Sequence, residues 1–458
     1  MLNKVLVANR GEIAVRIMRA CRELGIVTVA VYSEADRDAL FVRYADESHL
    51  IGPPPPLQSY LAMDTIIDTA LKCKAEAIHP GYGFLAENDK FSDLVEKNGM
   101  VFIGPTGQNI RDMGDKLLSK KTMKSSGVPV VPGIEEGISD IEKAKDVASE
   151  LGYPVMLKAS AGGGGIGMKI VDSEEQLAGA VESTKRLAKS AFGDETVLLE
   201  KYLDEPRHVE FQVMCDTKGN VIHVRERECS VQRRHQKLIE ETPSCVMTDE
   251  LREEMGRAAV TAAKAVNYRN AGTVEFMYSR GNYYFLEMNT RLQVEHPITE
   301  MITGVDLAKE QLRVASGLEL QDGQEDISGQ GWAFECRICA EDPANNFFPS
   351  PGKVTDYAEP SGPGVRVDSG IYGGFDVPPF YDSLLSKLIV WGRDRGEAMA
   401  RMKRALWEYR IEGIKTNIPF HEVVLDNEFF VKGEYTTHFI KERNILDDVK
   451  RYLEGKTR

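Results

Sequence analysis

The stretch Glu287-Met-Asn-Thr-Arg-Leu-Gln-Val-Glu295 alternates strictly, with Glu287, Asn289, Arg291, Gln293 and Glu295 separated by Met288, Thr290, Leu292 and Val294. Period-2 alternation predicts a strand with one packed face and one reactive face. Upstream, residues 272–278 (Gly-Thr-Val-Glu-Phe-Met-Tyr) predict a second strand, and residues 279–282 a turn. A hairpin centred on Gly281 puts Glu275 opposite Glu287 at about 5 Å, a spacing at which like charges repel. Two carboxylates so close call for a cation. Glu275, Glu287 and Asn289 are all oxygen donors, which favours Mg²⁺ or Mn²⁺ and suits an ion bridging nucleotide phosphates.

Other stretches carry chemistry of their own. Residues 159–167 (Ala-Ser-Ala-Gly-Gly-Gly-Gly-Ile-Gly) join two expected strands, 154–158 and 168–171. Such a run either cradles a phosphate with its backbone N–H groups or is a flexible hairpin. It is not a P-loop, because no Gly-Lys-Ser/Thr follows. His79-Pro-Gly-Tyr-Gly83 is a glycine-rich turn after an apolar strand near Ala77 and Ile78, where open α/β sheets bind ligands. Arg225, Arg227, Arg233, Arg234, His235 and Lys237 fall within thirteen residues. The run is either a solvated basic face or a site for phosphate or carboxylate.

Several elements must position these groups. Residues 4–8 predict a strand, the spacing of Ile13, Ile17, Met18, Cys21 and Leu24 a helix, and residues 26–31 a second strand, which together open an α/β domain. No Gly-x-Gly-x-x-Gly follows the first strand, so a dinucleotide site is unsupported. Turn residues between 104 and 133 bracket a helical piece with Lys116 and mark a domain boundary. A helix over 138–151, a helix over 174–190 and a strand at 197–199 complete a small α/β unit, about 131–203, whose size suits a mobile lid.

Composition narrows the class. The 458 residues exceed one compact core. A net charge of -14 argues against a nucleic-acid surface, and no apolar run approaches membrane-spanning length, so a soluble cytoplasmic protein is expected. The seven cysteines are scattered and read as reduced thiols. Cys336 and Cys339 lie three apart on an expected strand, face opposite sides and lack a second pair, which disfavours zinc.

Taken in order and spacing, His79-Pro-Gly-Tyr-Gly-Phe-Leu-Ala-Glu-Asn88, the 162–167 loop, Glu200-Lys-Tyr-Leu203, Gln232-Arg-Arg-His-Gln-Lys237 and residues 287–297 resemble the biotin carboxylase subunit of biotin-dependent carboxylases, members of the ATP-grasp class. The resemblance runs from Lys4 to at least Phe439. It implies an N-terminal open α/β domain (1–114), an ATP-grasp domain (115–330) with its lid, a C-terminal α+β domain (331–445) and a tail (446–458). ATP contacts fall on Lys116, Lys158, Gly164, Gly165, Glu200, Lys201, Tyr202, Leu203, His208 and His235. Glu275 and Glu287 hold Mg²⁺ or Mn²⁺ against the phosphates, with Asn289 on a second ion. Lys237, Arg291, Gln293, Val294, Glu295 and Arg337 surround bicarbonate and the ureido ring of biotin, and Tyr82 and Gly83 line the biotin side. Of these, Arg291, Glu295, Lys237 and Arg337 are the catalytic set, with Glu295 as the base that activates bicarbonate.

The implied reaction is ATP- and bicarbonate-dependent carboxylation of biotin through carboxyphosphate. Another ATP-grasp carboxylate–amine ligase is the alternative; it has no need of the Arg291-x-Gln293-x-Glu295 pattern. A silent nucleotide-binding subunit would be expected to have lost a metal ligand or the base. Two departures stand out: Ile166 where many members have arginine, and Cys339 where asparagine is common. No Met-Lys-Met context for biotin attachment occurs, so the expected partners are a biotin carrier protein and a carboxyltransferase on other chains, with a homodimer as the family habit. Residues 416–420 and 433–439 lean toward the pyruvate carboxylase type.

Overall fold

A computed structural model of the protein describes residues 1–134, 137–159 and 167–456. Five parallel strands open the chain: β1 (Lys4–Val7), β2 (Val27–Ser33), β3 (Glu47–Gly52), β4 (Ala77–His79) and β5 (Val101–Phe102), in the order β3-β2-β1-β4-β5. The near-continuous apolar runs of the inner strands β1, β2 and β4 are buried on both faces, while β3 at the edge is polar and largely open. The helix Gly11–Glu23 packs Ile13, Ile17, Met18 and Cys21 against one face, the spacing read from the sequence. Beyond β4 the chain makes the glycine-rich turn. Asn9 Nδ2 donates to the carbonyls of Pro80 and Tyr82, both at 2.7 Å. Gly81 has φ +63° and a Cβ there would lie 2.9 Å from that amide, so only glycine fits the clamp.

The small unit has its own core. Strands β6 (Gly133–Ile134), β7 (Val155–Ala159), β8 (Met168–Val171) and β9 (Val197–Lys201) form a sheet in the order β6-β9-β7-β8. The helices Ile141–Leu151 and Glu174–Phe192 pack Ala144, Ala148, Leu177 and Val181 onto Val155, Leu157 and Leu199. The first of these begins three residues later than the periodicity predicts, because the Asp140 side chain accepts from the Glu142 N–H and caps it. Gly164, Gly165 and Ile166 lie outside the described residues.

The largest layer is an antiparallel sheet of eight strands: β10 (Arg207–Cys215), β11 (Val221–Arg233), β12 (Gln236–Thr242), β13 (Asn270–Ser279), β14 (Asn282–Asn289), β15 (Trp332–Cys339), β16 (Val365–Ser369) and β17 (Leu384–Gly392). Its order is β14-β13-β10-β11-β12-β15-β17-β16. The boundary proposed at 330/331 therefore falls inside one continuous sheet, joined where Ile239 to Thr242 pair with Ala333 to Cys336.

Two expectations about residues 275–295 need correction. The β13–β14 turn is the two-residue type formed by Arg280 and Gly281, both at positive φ, so it is not centred on Gly281. Glu275 still pairs with Glu287, because Leu286 is bulged out of the ladder and shifts the register by one. Regular pairing would have put Leu286 opposite Glu275. The strand also stops at Asn289; residues 290–295 leave the sheet and turn into the helix His296–Thr303. The polar residues are not a solvated face: Glu275, Asn289, Gln293 and Glu295 are all buried.

Lys387 on β17 is wholly buried and ties three parts of the chain. Its Nζ donates to the Val294 carbonyl at 2.9 Å, lies 3.2 Å from Glu12 on the first helix, and sits 5.9 Å above the Tyr82 ring. Among the described residues no helix is long and apolar enough to cross a membrane.

Burial raises the Glu12 carboxyl from 4.5 to about 7, with Lys387 only partly offsetting it. A carboxyl with a raised native pKa favours folding least once the unfolded chain ionises, so its contribution falls as pH rises from 4.5 to about 7 and is flat above. Glu12→Gln should remove that segment of the pH dependence of the unfolding temperature. An unchanged slope in this window would show that Glu12 ionises normally.

Candidate active site

Four charged residues form a row across adjacent strands: Arg227 on β11 pairs with Glu210 on β10, Glu210 with Glu275 on β13, and Glu275 with Glu287 on β14. Directly opposed residues share a face, so three carboxylates stand side by side. Two cations answer them. Arg227 is fully buried and satisfied, donating to Glu210 (2.7 Å), Gln212 (2.9 Å), Thr273 and Thr299 (both 3.1 Å). Lys237, from β12, donates to Glu210 at 2.5 Å, Glu275 at 3.0 Å and Glu295 at 2.6 Å.

Glu295 stands at the head of the helix His296–Thr303, and its side chain does not cap that helix. It turns back to the sheet, where one oxygen meets Lys237 and the other accepts from Arg337 at 2.9 Å. Arg337 is anchored in turn by Glu240 at 2.6 Å. Burial opposes the charge on Glu295, but Lys237 and Arg337 outweigh it and hold the carboxyl below the ordinary range. The surrounding carboxylates Glu210, Glu275 and Glu295 likewise overcome burial and keep Lys237 charged.

The segment after β14 is wired by amides. Asn289 donates to Glu275 at 2.8 Å and Gln293 donates to the same oxygen at 3.2 Å. Arg291 then bridges the two amides, reaching Asn289 and Gln293 oxygens at 3.1 Å each, and Glu87 at 2.9 Å. Gln293 thus has a physical part of its own: it relays the Glu275 position to Arg291.

His208, on β10, sits 3.2 Å from Glu275 and 3.4 Å from Glu210. Burial works against its charged form, yet Glu275 and Glu210 push its pKa up to about 9. With its imidazole protonated, His208 forms an ion-pair cluster with Glu210 and Glu275, the ligand atoms of the three lying within 4.8 Å of one another. Glu287 behaves differently. Burial first, then the neighbouring Glu275 charge, raise it above the ordinary carboxylate range, with Lys116 opposing. A half-buried carboxylate directly opposite a second one fits a hard divalent cation, with Glu275, Glu287 and Asn289 offering oxygen.

The remaining expected residues spread outward. Lys116 begins the helix Lys116–Ser125 and is close enough to act on Glu287. Lys158 on β7 pairs at 2.5 Å with the buried Glu200 on β9, which also pairs with Lys120. Lys201 is exposed, while Tyr202 and Leu203 are half-buried beyond β9. His235 and Arg234 form the exposed β11–β12 turn, both at positive φ, a conformation that costs a non-glycine residue about 1 kcal/mol. Tyr82 and Gly83 follow the clamped turn, on the Lys387 side of Val294. Cys339 is buried at the end of β15, its N–H donating to Asn417.

Sequence reasoning missed Glu210, Glu240, Arg227 as a core residue, Lys387, Lys120 and Glu87. A signal existed for Glu210: His208-Val-Glu210-Phe-Gln212 alternates like the 287–295 stretch. The basic run was read as one feature, but the structure divides it. Arg227 and Lys237 point into the ionic core, while Arg234 and His235 lie at the exposed turn.

Comparison with known proteins places the whole chain. Three family models match in succession: biotin carboxylase, N-terminal domain, over residues 1–110; carbamoyl-phosphate synthase L chain, ATP binding domain, over 115–323; and biotin carboxylase C-terminal domain over 335–442. The chain is 64% identical over 442 residues to a pyruvate carboxylase subunit from Methanothermobacter thermautotrophicus, covering 96% of this chain and 90% of that protein. It is 55% identical over 448 residues to biotin carboxylase 1 of Bacillus subtilis, covering 97% and 100%. Among solved structures, the biotin carboxylase domain dimer of Hydrogenobacter thermophilus 2-oxoglutarate carboxylase, in complex with MgADP, ADP and bicarbonate, matches with a TM-score of 0.89 at 51% identity, covering 97% of this chain and 98% of that one.

Glu287→Gln should weaken Mn²⁺ binding in the presence of ADP by at least about 10-fold, read by calorimetric titration. Equal affinity would take the ion away from this carboxylate pair.

Proposed function

Because the chain belongs to the biotin carboxylase family, we propose that it carboxylates biotin held on a carrier protein of another chain, using ATP and bicarbonate, through carboxyphosphate. It is an ATP-dependent carboxylase of the ATP-grasp type. The observation that supports the proposed mechanism best is the wholly buried Glu295 between Lys237 and Arg337, next to the opposed carboxylates Glu275 and Glu287.

Bicarbonate attacks poorly until its proton leaves. In our reading the anion enters beside Lys237 and Arg291 and draws their charge toward itself. Glu295 then loses part of the stabilisation that keeps its basicity low and accepts the proton. The freed oxygen attacks the γ-phosphorus of ATP, and ADP leaves as carboxyphosphate forms. Mg²⁺, bound at Glu275 and Glu287, would draw charge from the phosphate oxygens, and Asn289 would serve a second ion.

Carboxyphosphate breaks down to CO₂ and phosphate, and the phosphate takes the proton from biotin N1. Arg337 steadies the negative charge that moves onto the ureido oxygen while the ring nitrogen attacks CO₂. Tyr82, Gly83 and Val294 line the biotin side. Lys116, Lys158, Glu200, Lys201, Tyr202, Leu203, His208 and His235 contact ATP, and the resemblance adds Gly164 and Gly165, which lie outside the described residues. Closure of the 131–203 unit keeps water from the intermediate.

Biotin carboxylase domains occur as a dimer in the 2-oxoglutarate carboxylase structure, and a relative of similar length is named as part of a pyruvate carboxylase. These relatives support a homodimer that works with a carrier and a carboxyltransferase on other chains.

The decisive assay is ADP release, which should require bicarbonate and rise with free biotin; ATP hydrolysis indifferent to both would overturn the function. Glu295→Gln should lower the bicarbonate-dependent rate by about 100-fold or more with little change in the KM for ATP. Arg337→Ala should cost biotin-dependent turnover about 100-fold while ATP affinity stays near normal. A near-normal biotin rate in Arg337→Ala would remove that arginine from the chemistry.

A further inference from the structure

Behind Arg337 lies a second pair of opposed carboxyls that the mechanism leaves unused. Glu240 on β12 and Glu335 on β15 face each other directly in the ladder, and both are completely buried. Glu240 gives one oxygen to Arg337 Nε at 2.6 Å. Its other oxygen and both oxygens of Glu335 are buried with no hydrogen-bond partner among the described residues. Directly opposed residues share a face of the sheet, and a proton on Glu335 would turn one of its acceptors into a donor that can serve the bare oxygen of Glu240.

The surroundings favour the same arrangement. On β17, Ile389 flanks Glu335, and Ile298 and Ile302 of the helix His296–Thr303 close over Ala333 and Ile389 as one apolar cluster. The charges near the pair are few. Arg337 lies on the same strand and is shared between Glu240 and Glu295. Lys387 on β17 donates to the Val294 carbonyl and lies 3.2 Å from Glu12 and 3.9 Å from Asp368. Glu295 at the head of the helix is held by Lys237 and Arg337, and the adjacent His296 is kept neutral by burial. The cations nearest the pair, Arg337 and Lys387, each face other carboxylates as well. Burial accordingly lifts Glu335 well above the ordinary carboxylate range and Glu240 to about 7, with Lys387 and Arg337 respectively opposing.

We propose that Glu335 is a positioning residue that remains protonated through the reaction and donates its hydroxyl to Glu240, so that the pair carries one negative charge and anchors Arg337 in the orientation biotin needs. A doubly ionised pair would over-neutralise Arg337 and weaken its hold on the ureido oxygen. A missing hydroxyl would leave Glu240 free to turn. The importance of Arg337 rests on the mechanism proposed above; the location of the proton does not.

The test compares the full-length wild type with Glu335→Gln and Glu335→Leu. In infrared difference spectra near neutral pH, Glu335→Gln should lack one protonated-carboxyl band present in the wild type. Its amide still donates, so kcat/KM for free biotin should stay within about 3-fold of wild type, whereas Glu335→Leu should lose about 10-fold or more, with the KM for ATP unchanged in both. The wild type should also lose biotin-dependent rate at alkaline pH as the shared proton leaves, and Glu335→Gln should not show that loss. Persistence of the band in Glu335→Gln, equal damage from Gln and Leu, or full activity in Leu would each overturn the proposal. If Leu fails to fold, the infrared band and the Gln pH profile still decide it. A band that vanishes in an enzyme indifferent to biotin would support the proton assignment and overturn the role of Arg337.

Discussion

One ammonium group organises the centre of this molecule. Lys237 gives its three protons to Glu210, Glu275 and Glu295, which come from β10, from β13 and from the turn beyond β14. Burying so many charges is unfavourable by several kcal/mol per ion before pairing, and only good geometry offsets it. Removing one member therefore costs more than its own bonds, because the partners remain buried and unpaired. The sheet around Lys237 meets this demand. Arg227, fully hydrogen-bonded behind Glu210, balances the carboxylate row from the other side, and the Leu286 bulge sets Glu287 at its end.

That arrangement is also why some features could be read from sequence and others could not. Elements with local causes were legible: the alternation and turn residues of β13 and β14, the glycine-rich turn after β4, and the apolar spacing of the first helix. The pairing of Glu275 with Glu287 was legible in outcome but not in cause, since a bulge has no fixed signature in one strand. The end of β14 was hidden because the 2-residue period continues through residues 290–295, although the backbone has left the sheet. There the alternation reflects contacts to Glu275, Lys237 and Arg337 rather than two faces of a strand. Glu240, Glu335 and Lys387 went unnoticed for a further reason. Charges on strands look like solvent-facing positions until strands far apart in sequence are placed beside them.

Lys387 shows how the separate units are brought to one point. Its contacts to Glu12, to the Val294 carbonyl and to the face of Tyr82 link the first helix, the catalytic turn and the glycine-rich turn through one buried side chain. Val294 immediately precedes Glu295, so the position of the proposed base is held from both sides: its backbone by Lys387, its carboxylate by Lys237 and Arg337. Loops seldom hold a reacting group to better than an ångström unless such supports surround it.

The electrostatics of Glu295 have a functional consequence on the mechanism proposed. With both oxygens engaged by cations, the carboxylate is a weak base, poorly matched to taking a proton near neutral pH. An anion that competes for Lys237 restores part of its basicity, and bicarbonate is such an anion. Water is neutral and does not draw that cation away, so it finds the base switched off. ATP cleavage is thereby tied to the presence of the substrate it is meant to activate. A closing lid would keep water out, and the ionic cluster would deny a base to any water that enters. Two independent barriers suit an intermediate as labile as carboxyphosphate, and the second needs no moving part beyond the partner exchange of Lys237.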